Sequence, residues 1–462
     1  MSETRIESDS LGEVRIPSEA LYGASTQRAV ENFPISGTPV PPDIIQAFAI
    51  IKLAAAKANE KLDIIPQEYA ELICQAANEI IDGQHAAQFP VDIFQTGSGT
   101  STNMNMNEVI ANRCSQLAGE QIGSKKPIHP NDHVNQSQSS NDTFPTAIHI
   151  AVALAFQHQL LPELHHFHGA LLEKAHAFHE VYKIGRTHLM DATPMRLGQE
   201  FSGYARQLEK AIDRIKEAMH GLYELPLGGT AVGTGINCPH GFARMATEEI
   251  VDLTKLPFRE ALNHFEAQSS KDDLVHAHAS LHTLATALFK MANDLRLLAS
   301  GPRCGLGEIT LPATQPGSSI MPGKVNPVMC ESLTMVCARV FGNHSTVEHC
   351  NAGGQLNLNT FMPLMAYTIL ESTSLLSSAM HAFREKCLQG IQANKEHCAE
   401  LIERSTAMVT ALAPIIGYDQ ASKIAKQAMK EKRTVRDICL ENLNQLGISK
   451  EKLDSLLDPA NA

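Results

Sequence analysis

No apolar run in this 462-residue chain reads as long enough to span a bilayer, so no membrane-embedded protein is expected. Positive charge is in short supply. Lys and Arg total 38 against 50 Asp and Glu, a net charge of −12, which argues against a general affinity for nucleic acid or anionic membrane. Residues 1–10 hold neither an apolar signal core nor an Arg-rich amphipathic pattern. The ten cysteines include no CxxC pair and no repeating spacing, so neither a disulfide framework nor a zinc ribbon is expected; reduced, core-filling thiols and a cytoplasmic location are. Internal repeats and low-complexity segments are missing too. So is any cluster of Cys, His and carboxylates at ligand spacing, and no metal site is expected. Tryptophan is absent, yet 43% hydrophobic and 19% charged residues make an ordinary globular balance, with length enough for two or three domains.

What is present is mostly helical periodicity. A first segment, 1–137, is mixed: residues 11–17 suggest a strand, while 44–62, 69–82 and 104–117 carry amphipathic helix patterns. A second segment, 138–393, holds five long helix candidates at 145–182, 198–222, 268–300, 327–349 and 359–391. In the third of these, Leu274, Ala277, Leu281, Leu284, Leu288, Met291, Leu295 and Leu298 alternate spacings of three and four. That heptad seam predicts a helix packed along its whole length, and helices this long predict a bundle shared between subunits. His276, His278 and His282 on the same stretch are expected to be solvated or interhelical. A small helical tail, 394–462, completes the chain, with helices at 420–432 and 434–443 and a last one capped by Ser449.

The chemistry-bearing residues gather in four polar segments, each expected at or near a helix end. The most distinctive is Gly317-Ser318-Ser319-Ile320-Met321-Pro322-Gly323-Lys324-Val325-Asn326-Pro327. Its glycines allow close backbone approach, and Asn326-Pro327 looks like an N-cap followed by a first-turn proline. A lysine and a Gly/Ser loop at a helix N-terminus make an anion site; the plainer alternative is a polar loop before a capped helix. The second segment holds Ser98, Thr100 and Asn103, with Asn103 and Asn107 on one helix face. The third runs from His129, Asn131 and Asp132 to Ser139, Ser140 and Asn141, and the fourth is Gly185-Arg186-Thr187-His188. Together they offer many neutral donors for carboxylate oxygens. His188 is an acid/base candidate, and Glu331 is placed to orient it and support its protonated form. Gly228 to Gly235 is glycine-rich but follows a helix, so a dinucleotide loop is rejected.

The motif GSSIMPGKVNP resembles the signature of the fumarase/aspartase superfamily. QTGSGTSTNMNMNEVIANR, HPNDHVNQSQSSNDTFPTAIHIA, GRTHLMDATP and LGGTAVGTGIN resemble its class II fumarase branch, the iron-independent fumarate hydratases. The likeness runs from Asp9-Ser10-Leu11-Gly12 to Ile416-Gly417-Tyr418-Asp419; Met190, Met195, Arg196 and the last twenty residues depart from it. The resemblance implies a mainly α, three-domain lyase with a central bundle of long helices, assembled as a homotetramer whose sites each draw on three subunits. It implies no cofactor, a small dicarboxylate substrate, and reversible hydration of fumarate to (S)-malate in the tricarboxylic acid cycle.

The same resemblance implies the roles. Ser318 is the base and His188 its partner at the departing hydroxyl, assisted by Ser319 and Glu331. Ser98, Thr100, Asn103, Ser139, Ser140, Asn141 and Thr187 hold carboxylates. Lys324, Asn326 and the helix N-terminus suit the aci-carboxylate that proton removal generates. His129, Asn131 and Asp132 match a second anion site. Two alternatives stay open. An aspartate ammonia-lyase typically carries Gln where His188 stands, and a non-catalytic crystallin-like protein need not keep competent residues at every catalytic position.

Overall fold

The computed structural model describes residues 3–461. Strand β1 (Thr4–Asp9) pairs antiparallel with β2 (Gly12–Pro17), and alternation along β2 turns Val14 and Ile16 inward. Helices α1 (Ala24–Asn32), α2 (Pro42–Lys61), α3 (Gln67–Ile81) and α4 (Thr100–Leu117) follow. Pro42 opens α2, where its missing N–H has no intrahelical partner to lose.

All five long helices form. The first comprises α5 (Ser140–Ala155), a π-helical turn (Phe156–Leu160) and α6 (Leu161–Ala177). It starts five residues before the expected Pro145 because Ser139 and Asp142 form a capping box. It also stops earlier than expected: Tyr182 belongs to a strand, β3 (Tyr182–Thr187), paired with β4 (Met190–Arg196). Next come α7 (Leu197–Leu222) and α8 (Phe242–Thr254). The predicted 268–300 helix is divided into α9 (His264–Ser269), capped by Asn263, and α10 (Asp272–Leu298). α11 (Val328–Ala352) and α12 (Met362–Lys386) complete the set, and the chain is 63% helical, the mainly α fold expected.

Every residue of the heptad seam on α10 is buried. His276 is exposed, whereas His278 is interhelical, its ring nitrogens 3.2 Å from His344 Nδ1 and 2.8 Å from Ser372 Oγ. One sequence expectation fails here. The 38-residue helical stretch Ser140–Ala177 contains a window of mean hydropathy 1.2, long and apolar enough by composition to cross a membrane. Of that window 78% is buried inside the chain, so its apolarity is that of a core helix.

The chain forms two compact units. The first takes residues 1–162, 212–285 and 338–377; within it α2 packs against α3, α5 and α8. The second takes 163–211, 286–337 and 378–462. Its core joins Ile184 of β3 to Ile402, Leu412, Ile424, Ile438 and Leu453 of the tail. The tail helices fall where expected, at Tyr418–Glu431, Val435–Glu441 and Lys450–Leu456, the last two capped by Thr434 and Ser449.

Candidate active site

Two of the polar segments meet in the first unit. A Cβ at Gly97 would lie 1.8 Å from the Thr360 carbonyl oxygen, and one at Gly99, whose φ is +74°, would lie 1.9 Å from the Phe144 ring. Only glycine fits at either place, and the loop is thereby pressed against α5 at the start of α4. Ser98 Oγ then sits 2.7 Å from Thr100 Oγ1, which sits 2.7 Å from Ser140 Oγ. The Ser139 hydroxyl accepts the Asn141 N–H at 3.2 Å, and the Ser139 N–H donates to Asp142 Oδ1 at 2.9 Å. The N-termini of α4 and α5 thus present a row of neutral hydroxyls and amides, the donor set an anion needs.

Asp142 ties a further loop to this row. Its Oδ2 accepts the N–H groups of Gly228 (3.1 Å) and Thr230 (2.9 Å), while Asn141 Nδ2 donates to the Ala231 carbonyl at 2.8 Å. The glycine-rich segment rejected as a nucleotide loop therefore braces the Ser139–Asn141 turn. Burial pushes the Asp142 carboxyl up to about 6, outweighing the N–H donors from Ser139, Thr230 and Gly228 that favour its charge.

The second anion segment opens a π-helical turn, Pro130–Val134. His129 Nδ1 accepts the N–H groups of Asn131 and Asp132, both at 3.2 Å, which leaves Nε2 as the donor of the neutral ring. Asn131 and Asp132 are exposed. With Glu7, Asp9, Glu108 and Lys125, His129 and Asn131 line a cavity of about 400 Å³.

The other two segments belong to the second unit. Thr187 and His188 are not at a helix end, as expected, but at the tip of the β3–β4 hairpin. Thr187 faces Met190 across a two-residue turn in which His188 (φ +56°) and Leu189 (φ +61°) are both left-handed. Such turns favour Asn-Gly; here a histidine and a leucine take the strained conformation, a cost found where geometry serves function. Behind the tip, Arg186 Nη1 lies 2.8 Å from Glu308 Oε1, and Lys183 Nζ lies 3.3 Å from both Glu308 and Glu200. Glu308 is wholly buried. A closed set of two cations and two carboxylates anchors the hairpin, and Thr187 and His188 stand exposed beyond it.

The loop before α11 is fastened to itself. Gly317 N–H donates to the Lys324 carbonyl (2.9 Å), and Asn326 Nδ2 donates to the Gly317 carbonyl (2.7 Å). Asn326 is therefore a clasp, and because α11 begins at Val328 it lies one position before the N-cap place expected for it from the sequence. Ser318 Oγ accepts two backbone N–H groups, from Ile320 at 3.2 Å and Met321 at 3.0 Å. Lys324 is exposed and its ammonium has no partner among the described residues; Ser319 and Glu331 are exposed as well. Within one chain no hydrogen bond joins Lys324 to Ser318 or Glu331 to His188.

Three residues escaped the sequence reading. Asn103 and Asn107, four apart on one face of α4, both donate to Asn135 Oδ1, at 3.0 and 3.2 Å. That oxygen also accepts from Lys52, a wholly buried lysine on α2, which reaches Gln138 too. The available signal was a lone lysine among apolar helix neighbours: Phe48, Ala49, Ala55 and Ala56 stand three and four residues from Lys52.

A family described as Lyase matches residues 12–342, and one described as Fumarase C C-terminus matches 408–461, which takes in all but the last of the final twenty residues that had looked divergent. A class II fumarate hydratase of Thermosynechococcus vestitus is 53% identical over 95% of this chain and 94% of its own. The mitochondrial fumarate hydratase of Rattus norvegicus is 50% identical over 98% of this chain and 89% of its own. The crystal structure of a class II fumarase from Schistosoma mansoni superposes with a TM-score of 0.95, at 43% identity over 99% of this chain and 98% of that one. The chain belongs to the class II fumarate hydratases of the lyase family.

Proposed function

We propose that the protein catalyses the reversible, stereospecific hydration of fumarate to (S)-malate, with Ser318 as base. The observation that carries this reading is the pair of N–H groups aimed at Ser318 Oγ. A serine hydroxyl is far too weak an acid to lose its proton unless its alkoxide is stabilised, and two fixed backbone dipoles do that without reorganisation. Removing the proton next to a carboxylate of malate leaves an aci-carboxylate dianion. Lys324, with an unengaged ammonium, Asn326 and the N-terminus of α11 are the groups suited to it. Ser98, Thr100, Asn103, Ser139, Ser140, Asn141 and Thr187 hold the carboxylates, and Ser319 assists Ser318. His188, oriented by Glu331, donates a proton toward the departing hydroxyl or holds the water. His129, Asn131 and Asp132 form a second anion site.

The site is completed by assembly. On the single chain Leu189 is 73% exposed, Met190 70% and Ile320 83%, large apolar side chains beside His188 and Ser318. Their exposure supports a homotetramer in which each site takes segments from three subunits. The division at 137 and 393 and a cytoplasmic location belong to the same proposal. The test is the ultraviolet absorbance of fumarate with purified protein, with and without ammonium. Consumption of fumarate without ammonium is expected; a strict need for ammonium would move the chain to the ammonia-lyases, and no reaction in either case to a non-catalytic role.

A further inference from the structure

Lys52 belongs to no role described so far. It lies on the apolar face of α2, 0% exposed, between fully buried Ile51 and Leu53. A lysine in such a place loses its hydration and normally recovers it through a carboxylate. This one does not. Its three hydrogens go to three amide oxygens: Asn103 Oδ1 at 2.8 Å, Gln138 Oε1 at 3.0 Å and Asn135 Oδ1 at 3.1 Å.

Those three partners have one thing in common. Asn103 is in the first turn of α4, one residue past Thr100 to Thr102, and Gln138 immediately precedes Ser139-Ser140-Asn141. Asn135 Oδ1 is shared with Asn103 and Asn107, and Thr143 Oγ1 donates to Asn103 Oδ1 at 3.4 Å. The lysine thus fastens together the two segments that carry the hydroxyls of Thr100 and Ser140. It is also a cation beneath a set of donors that are otherwise neutral, in a protein whose net charge is −12. We propose that Lys52 is a positioning residue of the dicarboxylate site: its ammonium sets the register of the Thr100 and Ser139–Asn141 segments and supplies the buried positive potential that draws a dianion to them. This rests on the function proposed above.

The charge on Lys52 is adjustable. Burial pushes its pKa down to about 7, and Asp142 on α5 opposes the fall. Asp142 is the one charged group acting on it; α4 and the 135–138 turn present neutral amides, and α3 and α8 bring no charge to it. A bound dianion favours the ammonium, so by linkage affinity for the dicarboxylate falls as pH rises through about 7.

Lys52→Met keeps length and apolar bulk while removing the charge. In the intact oligomer we expect KM for fumarate to rise at least about tenfold at neutral pH, kcat to change by less than about threefold, and the rise of KM with pH to flatten. A purely structural lysine would lower the melting temperature and the folded fraction without altering KM or its pH profile. Asn135→Asp is the second variant, which keeps Lys52 and gives it a carboxylate. It should carry the rise of KM to higher pH by about one unit or more, and it decides the matter if Lys52→Met does not fold. KM and its pH profile unchanged in the folded variants would overturn the proposal. If the parent does not turn over fumarate, the proposed function fails, and the variants are judged by calorimetric binding of succinate: weaker binding to Lys52→Met supports the role, and equal binding refutes it.

Discussion

Ser318 carries the proton chemistry in this account, and its hydroxyl already accepts two backbone N–H groups in the free loop. Ser318→Ala removes one half-buried oxygen and leaves the clasp from Asn326 to Gly317 in place. Turnover is expected to fall at least about a hundredfold with melting unchanged. Near-normal turnover would hand the base to another group, His188 first. At this scale the sequence was most informative where a residue type is rare in its setting: two adjacent serines in a glycine-bracketed loop, a histidine between Thr187 and Asp191. It was least informative for Lys52, whose meaning depends on three amides 51 to 86 positions away. Periodicity marks Lys52 as inward-facing but says nothing of what meets it there.

The β3–β4 hairpin and the Asp142 brace show how elements hold these residues. Helices were legible because their apolar period repeats many times; α10 shows its whole buried seam in the sequence. The hairpin was not, because its turn is His188-Leu189 rather than a glycine or asparagine pair, and its short strands repeat their alternation too few times to stand out. Its anchor is testable. Glu308→Gln leaves Lys183 and Arg186 without their fully buried carboxylate and should cost about 3–5 kcal/mol of stability, together with activity, since the tip bearing His188 loosens. A variant as stable and active as the parent would show that Glu200 alone suffices. The brace makes a prediction of opposite character. The Asp142 carboxyl is raised from 3.8 to about 6, so the folded state holds its proton more tightly than the unfolded one, and this group's contribution to stability falls as pH rises between those values. Asp142→Asn cannot titrate. Beyond a constant offset from its altered hydrogen bonds, its melting temperature should gain on the parent's from pH 4 to 6 and run parallel above; a difference that does not vary with pH would contradict this.

At the scale of the whole molecule, the three candidate catalytic residues all fall in the second unit and do not hydrogen-bond to one another. Ser318, His188 and Glu331 are exposed or half-buried and unconnected, while apolar Leu189, Met190 and Ile320 beside them lie open. From the sequence, helix length predicts only a bundle shared between subunits; the sharing of a site comes from the family resemblance and stays a proposal. The central claim is that copies of the chain complete one another's sites, and complementation tests it most directly. Ser318→Ala and His188→Asn oligomers should each be nearly inactive. A working site needs its Ser318 segment from a His188→Asn chain and its His188 segment from a Ser318→Ala chain. Each condition is met about half the time when the two are co-refolded in equal amounts, so roughly a quarter of the sites should hydrate fumarate. A mixture as inactive as its parents, although native mass spectrometry shows mixed oligomers, would place both residues on one subunit and contradict the account.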